Sequence, residues 1–361
     1  MYGDVRFWRC KALFSLKILL ILNLCALLLI SIIGRALPWH PLKITVETNR
    51  TWHRPLIKHD FIDEHVRHRI PLNVSDECRL PWWDGGLTCR SGDEHTVYFT
   101  NETRSYCSLR AHRLGSGQKV ISYCLFGDYE EYASGFDEIL STIRYLYPGW
   151  VVRLYTNPRG YKQALLPLLT KYSNLYICDA RNLPGRTREL VDVDPRLWRV
   201  AVLGDELVDV FLVRDIDSVL LEREVHAVKE WLESGQYLHV MRDHPEHGVP
   251  ILAGTFGVAQ NSAVLPLLNS IRDRIFNRRL PIPNDQAVLN NFLFPQLRQK
   301  SVVHDSFTCA KYPGSVPFPT QRKDGQFVGN RRYRANFSNE ALRKKCPRFC
   351  RPHDHPDWEY C

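Results

Sequence analysis

The sequence has no long run of basic residues, although 48 Lys and Arg against 39 Asp and Glu leave a formal net charge of +9. Scattered positive charge without basic blocks argues against nucleic-acid binding. No internal repeat is visible, which excludes solenoids and propellers. Long apolar runs are also scarce. A single one, Ile18 to Ile33, stands out from the rest of the 361 residues. Extended back over Ala12 to Leu16, with Lys17 able to snorkel, it reaches the ~20 residues that cross a bilayer.

Arg6, Arg9 and Lys11 precede this run and Arg35 alone follows closely. That asymmetry predicts a cytoplasmic N-terminus and a lumenal remainder. A cleaved signal peptide is the other reading, with Gly34-Arg35-Ala36 as the cleavage site. The run exceeds the usual 7–15-residue signal core, which favours an anchor over residues 12–34. Four glycosylation sequons, at Asn49, Asn73, Asn101 and Asn336, fit a lumenal setting. Nine cysteines lie between Cys78 and Cys361, and in an oxidising lumen most should pair. An odd number leaves one free or bridging a disulfide-linked dimer. Cys346, Cys350 and Cys361 with His353 and His355 could instead hold zinc, but a disulfide-pinned tail suits the compartment better.

The expected organisation is a tail (1–11), the anchor (12–34), a Pro-, His- and Arg-containing stem (35–77), a disulfide-tied segment (78–118), an α/β domain (119–310) and a Cys-containing extension (311–361). Apolar runs at Val120–Phe126, Val151–Tyr155, Leu175–Cys178, Val208–Val213 and Tyr237–Met241 read as strands. Between them Phe136, Ile139, Leu140, Ile143 and Leu146 recur at helical spacing, and helices are also expected over 161–171, 195–203 and 222–233. The alternation predicts a mainly parallel sheet covered by helices, with ligands beyond the carboxyl ends of strands.

One strand ends in chemistry. Val208–Val213 runs into Arg214-Asp215-Ile216-Asp217-Ser218. Carboxylates at i and i+2 can converge on one hard cation, Mn²⁺ or Mg²⁺, which would neutralise a diphosphate. The bland alternative is a turn or helix cap at Asp217 or Ser218. The arrangement resembles the DxD motif of GT-A glycosyltransferases, especially the retaining glycogenin-like and bacterial galactosyltransferase group. The segment Trp198-Arg199 resembles the arginine-bearing helix of capsular and yeast outer-chain sugar transferases. Ile251 to Gly257 resembles a strand whose small pair, Ala253 and Gly254, lines the sugar pocket. Asn284-Asp285-Gln286-Ala287-Val288-Leu289-Asn290 looks like the Asp-Gln-x-x-Leu-Asn segment of the retaining group. Met241-Arg242-Asp243-His244-Pro245, with Leu125 to Asp128, resembles uncharacterised GT-A-like proteins.

The resemblance spans Lys119 to Phe307 and implies a GT-A fold, a metal-dependent glycosyltransferase of the Golgi membrane, a UDP- or GDP-sugar donor and a glycan or glycoprotein acceptor. By the same resemblance, Phe126, Gly127, Asp128, Arg199, Arg214 and Asp285 would bind the donor. His244, Ala253 and Gly254 would line the sugar and acceptor pocket. Asp215, Asp217 and a late histidine, His304, would hold the metal. The glycine and lysine that usually follow that histidine are absent here. Gln286 would lie near the anomeric carbon of a retaining enzyme, and Asp243 would be the base of an inverting one. A non-catalytic sugar-binding or scaffold protein on the same fold is the alternative.

Overall fold

The computed structural model describes residues 78–79, 81–84, 88–89, 96–97, 103–184, 190, 193–276, 284–331 and 343–361. All belong to the second of two units, Met1–Glu64 and His65–Cys361. The anchor, the stem and the sequons at Asn49, Asn73, Asn101 and Asn336 lie outside the described residues. Among the described residues, no helix is long and apolar enough to cross a membrane.

Three two-residue strands, β1 (Cys78–Arg79), β2 (Thr88–Cys89) and β3 (Thr96–Val97), form a small antiparallel sheet. The main sheet has seven: β4 (Gln118–Leu125), β5 (Val151–Thr156), β6 (Leu175–Asp179), β7 (Val208–Arg214), β8 (Leu238–Arg242), β9 (Thr255–Ala259) and β10 (Ser301–Asp305), in the order β10-β8-β9-β7-β4-β5-β6. Four longer helices connect them: α1 (Phe136–Leu146), α2 (Lys162–Lys171), α3 (Glu222–Glu233) and α4 (Leu265–Ile275). The architecture is a mixed α/β sheet with helices on both faces.

The strands are apolar because both faces are covered. Successive side chains enter opposite cores. Val120 packs with Phe211 and Phe256 on one side, and Ile121 packs with Leu154 and Leu212 on the other. On α1 the buried residues are Phe136, Ile139, Leu140 and Ile143, the spacing that the sequence predicts.

The sheet is mainly parallel, as expected, with one reversed strand. β9 runs antiparallel between β7 and β8. Ile251–Gly254, read as the start of a strand, forms a turn, and extended structure begins only at Thr255. The reversal matters, because the beginning of β9 lies at the same sheet edge as the end of β7. Arg214 is registered opposite Thr255, so the next residue on one side, Asp215, meets the preceding residue on the other, Gly254.

Disulfides join Cys107 to Cys178, Cys309 to Cys350 and Cys346 to Cys361. The tail is thus pinned, not a zinc centre. Cys124 is the free cysteine among the described residues and is buried. Burial pushes its thiol up to about 11, away from ionisation at neutral pH. Nothing in its buried position supports a dimer bridged through it.

Candidate active site

The carboxyl ends of β4 and β7, the start of β9 and two later segments enclose a cavity of about 610 Å³. Its charged floor comes from β7. Asp215 pairs through Oδ1 with the Arg199 guanidinium, and Arg199 reaches Asp285 Oδ2 at 3.1 Å. Burial opposes ionisation of Asp215, but the adjacent Arg199 charge outweighs it and holds the carboxyl below its ordinary range. Asp217 lies 3.5 Å from Arg331. Its carboxyl is raised, chiefly by burial, because Arg331 compensates it only partly.

Arg199 is presented by a 3₁₀ helix, Pro195–Val202. Pro195 supplies the fixed φ of a helix start, and the Asp194 side chain accepts from Arg196 N. Asp285 opens a helical turn, Asp285–Val288, whose cap Asn284 accepts from Ala287 N at 2.8 Å. The capping reading therefore holds, and the same turn places Asp285 and Gln286 on the cavity wall. Gln286 lines the cavity, with its amide engaged by backbone. Oε1 accepts from Ala253 N at 3.1 Å and Nε2 donates to Ile251 O. It braces the turn that carries Ala253 and Gly254.

Several expected residues do converge here: Phe126, Arg199, Asp215, Asp217, His244, Ala253, Gly254, Asp285 and Gln286 all line the cavity. Phe126 is 38% exposed and meets Trp198 edge-on.

Others do not. Arg214 is on the opposite face of β7 from Asp215, as period-two alternation requires, and is buried against Glu224 at 2.7 Å. It is a core ion pair, not a donor ligand. Gly127 and Asp128 shape a turn instead of facing the cavity. Gly127 has φ +78°, the left-handed region that glycine adopts without strain, and Asp128 caps the helical turn Tyr129–Tyr132 through Glu131 N. That turn supplies Tyr132, which does line the cavity.

His304 is not a ligand partner of Asp215 and Asp217. It sits in β10 at the sheet edge, fully buried, with Nδ1 2.9 Å from His239 Nε2 and Nε2 3.4 Å from Glu230 Oε2. Its ring packs against Phe318. Asp243 is fully buried too. Its oxygens accept from Arg223, Arg322, Ser306 Oγ and Val328 N, at 2.6 to 3.1 Å. Burial disfavours its charge, but Arg223 and Arg322 override this and bring it to about 2. A carboxylate so engaged is a poor general base.

Sequence reading missed Arg196, Tyr132 and the wall Phe327–Arg331. Arg196 and Tyr132 stood within three to six residues of expected positions. The wall carries no periodic signal, and long-range bonds place it.

The donor set bears on a metal. Asp215 and Asp217 offer hard oxygens, and Mg²⁺-type ions need only one or two carboxylates when phosphates and water complete the shell. Gly254 keeps space beside Asp215, since a β-carbon there would lie 2.1 Å from Oδ2. These residues fit such an ion. The Asp305, Cys309 and Cys350 cluster, grouped closely enough to hold an ion, does not. Its sulfurs are bonded to each other, and Asp305 accepts from Arg242, Phe307 N and Thr308.

No family model matches the chain, and no curated protein does. Among solved structures it is similar to the crystal structure of S. aureus TarS 1-349, at 15% identity over 48% of this chain, with TM-score 0.33. It is also similar to a glycosyltransferase involved in glycosylation of the major capsid of PBCV-1, at 16% identity over 54% of this chain, with TM-score 0.31. The chain spans 56% of the first and 87% of the second.

Proposed function

We propose that the cavity binds a nucleotide-diphosphate sugar on a GT-A fold and transfers the sugar to a glycan or glycoprotein. The carrying observation is that β7 delivers Asp215 and Asp217 together into a cavity walled by Arg196, Arg199 and Asp285. Clustered charges of both signs beyond a strand end suit an anionic ligand that arrives with a cation.

Asp215 and Asp217 would hold Mn²⁺ or Mg²⁺, which when bound neutralises the diphosphate leaving group. Arg199, fixed by two carboxylates, places a permanent positive charge beside that group. Phe126 and Tyr132 offer ring surfaces to the base. Ala253 and Gly254, braced by Gln286, let the sugar approach the backbone closely. With Asp243 committed to arginines, retention of anomeric configuration is the stereochemistry we propose. Anomeric coupling in the product NMR spectrum tests it.

We propose the Golgi lumen as the setting, with the chain held by the span over 12–34. The three disulfides support an oxidising compartment.

A thermal-shift screen of the full-length chain against UDP- and GDP-sugars, with and without Mn²⁺, tests the assignment. A ligand at 100 times its Kd stabilises by about 2.7 kcal/mol. The reading fails if no nucleotide shifts the melt in Mn²⁺. A binding-only role has one observation in its favour, the engagement of Asp243. A nucleotide-dependent shift without transfer or donor hydrolysis would select that role.

A further inference from the structure

Two arginines neutralise the two carboxylates, and they are held very differently. The Arg199 side chain is 6% exposed and shared by Asp215 and Asp285. The Arg331 side chain is 41% exposed and reaches Asp217 by a single contact of 3.5 Å. Its backbone, by contrast, is anchored. Arg331 forms a bridge with Ser218, Asn330 O accepts from Val219 N at 3.0 Å, and Val328 N donates to Asp243 Oδ2 at 3.0 Å. The main chain is thus fixed at the rim of the cavity while the guanidinium is free to exchange partners.

We propose that Arg331 is an exchangeable counter-ion: it neutralises Asp217 in the absence of a divalent cation and turns to the ligand's phosphates when a cation takes that carboxylate. This rests on the nucleotide-diphosphate reading above. The charges require some such exchange. A divalent cation at Asp217 would face Arg331 at ion-pair distance, and like charges so placed repel. A long, half-exposed ion pair is weak enough to yield. The released guanidinium remains tethered at the cavity wall, and its planar fork matches phosphate oxygens. Cation and nucleotide binding then become coupled through one side chain, with Asp243 as the positioning residue that holds its segment in place.

The signature is two effects of opposite sign. In the full-length Arg331→Gln variant, Mn²⁺ alone, followed by electron paramagnetic resonance, should bind about two- to fivefold more tightly, because its competitor is gone. UDP and GDP, titrated in saturating Mn²⁺, should bind about tenfold more weakly, the loss of one charge-assisted phosphate contact. Arg331→Lys keeps the charge but not the fork. It should leave Mn²⁺ affinity near the parent value while nucleotide affinity falls about threefold. The proposal is overturned if Mn²⁺ affinity in Arg331→Gln is unchanged or lower, or if nucleotide affinity survives in both variants. A parent chain that binds neither Mn²⁺ nor either nucleotide overturns the functional reading as well. A parent that binds both, beside an unresponsive Arg331→Gln, overturns this inference alone.

Discussion

The carboxylate of Asp215 lies against the α-carbon of Gly254, so closely that a β-carbon at 254 would sit 2.1 Å from Oδ2 and 2.6 Å from Cγ. The register of β7 with β9, Arg214 opposite Thr255, enforces the approach. Gly254→Ala should therefore displace Asp215 and abolish Mn²⁺-dependent nucleotide binding. Gly257→Ala is the contrast, since its β-carbon would meet Leu212 and Phe211 O in the sheet. That variant should lose about 1–3 kcal/mol of stability through overpacking, with binding retained in the folded fraction. Titration calorimetry beside urea melts separates the two. Normal binding by Gly254→Ala would refute the assignment of Asp215.

Asp217→Asn and Asp215→Asn should each reduce transfer by about 10²–10³-fold, but with different structural cost. Asp217 faces half-exposed Arg331, so its variant should melt within a few degrees of the parent. Asp215 is the principal partner of buried Arg199. Its variant leaves that charge to Asp285 alone and should lose stability measurably. Differential scanning calorimetry with an activity assay in Mn²⁺ checks both. Near-full activity in either variant would show that these carboxylates do not serve the metal.

Much of the site was legible because a buried strand in a parallel sheet reads as a continuous apolar run. Val208 to Val213 announced β7, and whatever followed it had to stand at a ligand-binding edge. Asn284 to Gln286 was legible for a local reason, the cap and helix start. What failed depended on direction or distance. Arg214 and Asp215 are neighbours in sequence, but period-two alternation sends one to the core and the other to the cavity. His304 stands next to the end of β10, yet that strand is the sheet edge and the ring turns to His239 and Phe318. The wall Phe327–Arg331 has no pattern of its own. It is fixed by bonds to Asp243 from Arg322 and Val328, 79 and 85 residues away.

Asp243→Asn separates a positioning role from a catalytic base. A base can be neutralised with the fold intact. Removing the Asp243 charge leaves Arg223 and Arg322 buried without their shared partner, which typically costs about 3–5 kcal/mol. The variant should melt far below the parent and lose nucleotide binding with the wall it anchors. An Asp243→Asn protein of parental stability, binding donor normally but inactive, would restore the base assignment.

Stability should fall as the pH drops from about 6.5 towards 4, and His247 is the residue to test. Burial first, and then the neighbouring His244, depress its imidazole to about 4. His239 is driven in the same direction, by burial and by His304 beside it. In the native state protonation of both rings is shifted to lower pH, to about 4 for His247, whereas the unfolded chain protonates them near 6.5. Unfolding therefore takes up protons, so stability is present above the unfolded value and is lost as pH descends to the folded one. For His247 the loss should be on the order of 1–3 kcal/mol across the window. Asp243, at about 2, stays ionised throughout and contributes little to the slope there. His247→Asn is the discriminating variant, because Asn Oδ1 can replace the ring Nδ1 that accepts from Asp243 N at 3.1 Å. Urea midpoints at pH 7 and pH 5 should differ less in this variant than in the parent. Equal pH dependence in the two proteins would remove His247 from the explanation and leave buried His239 to account for the acid sensitivity.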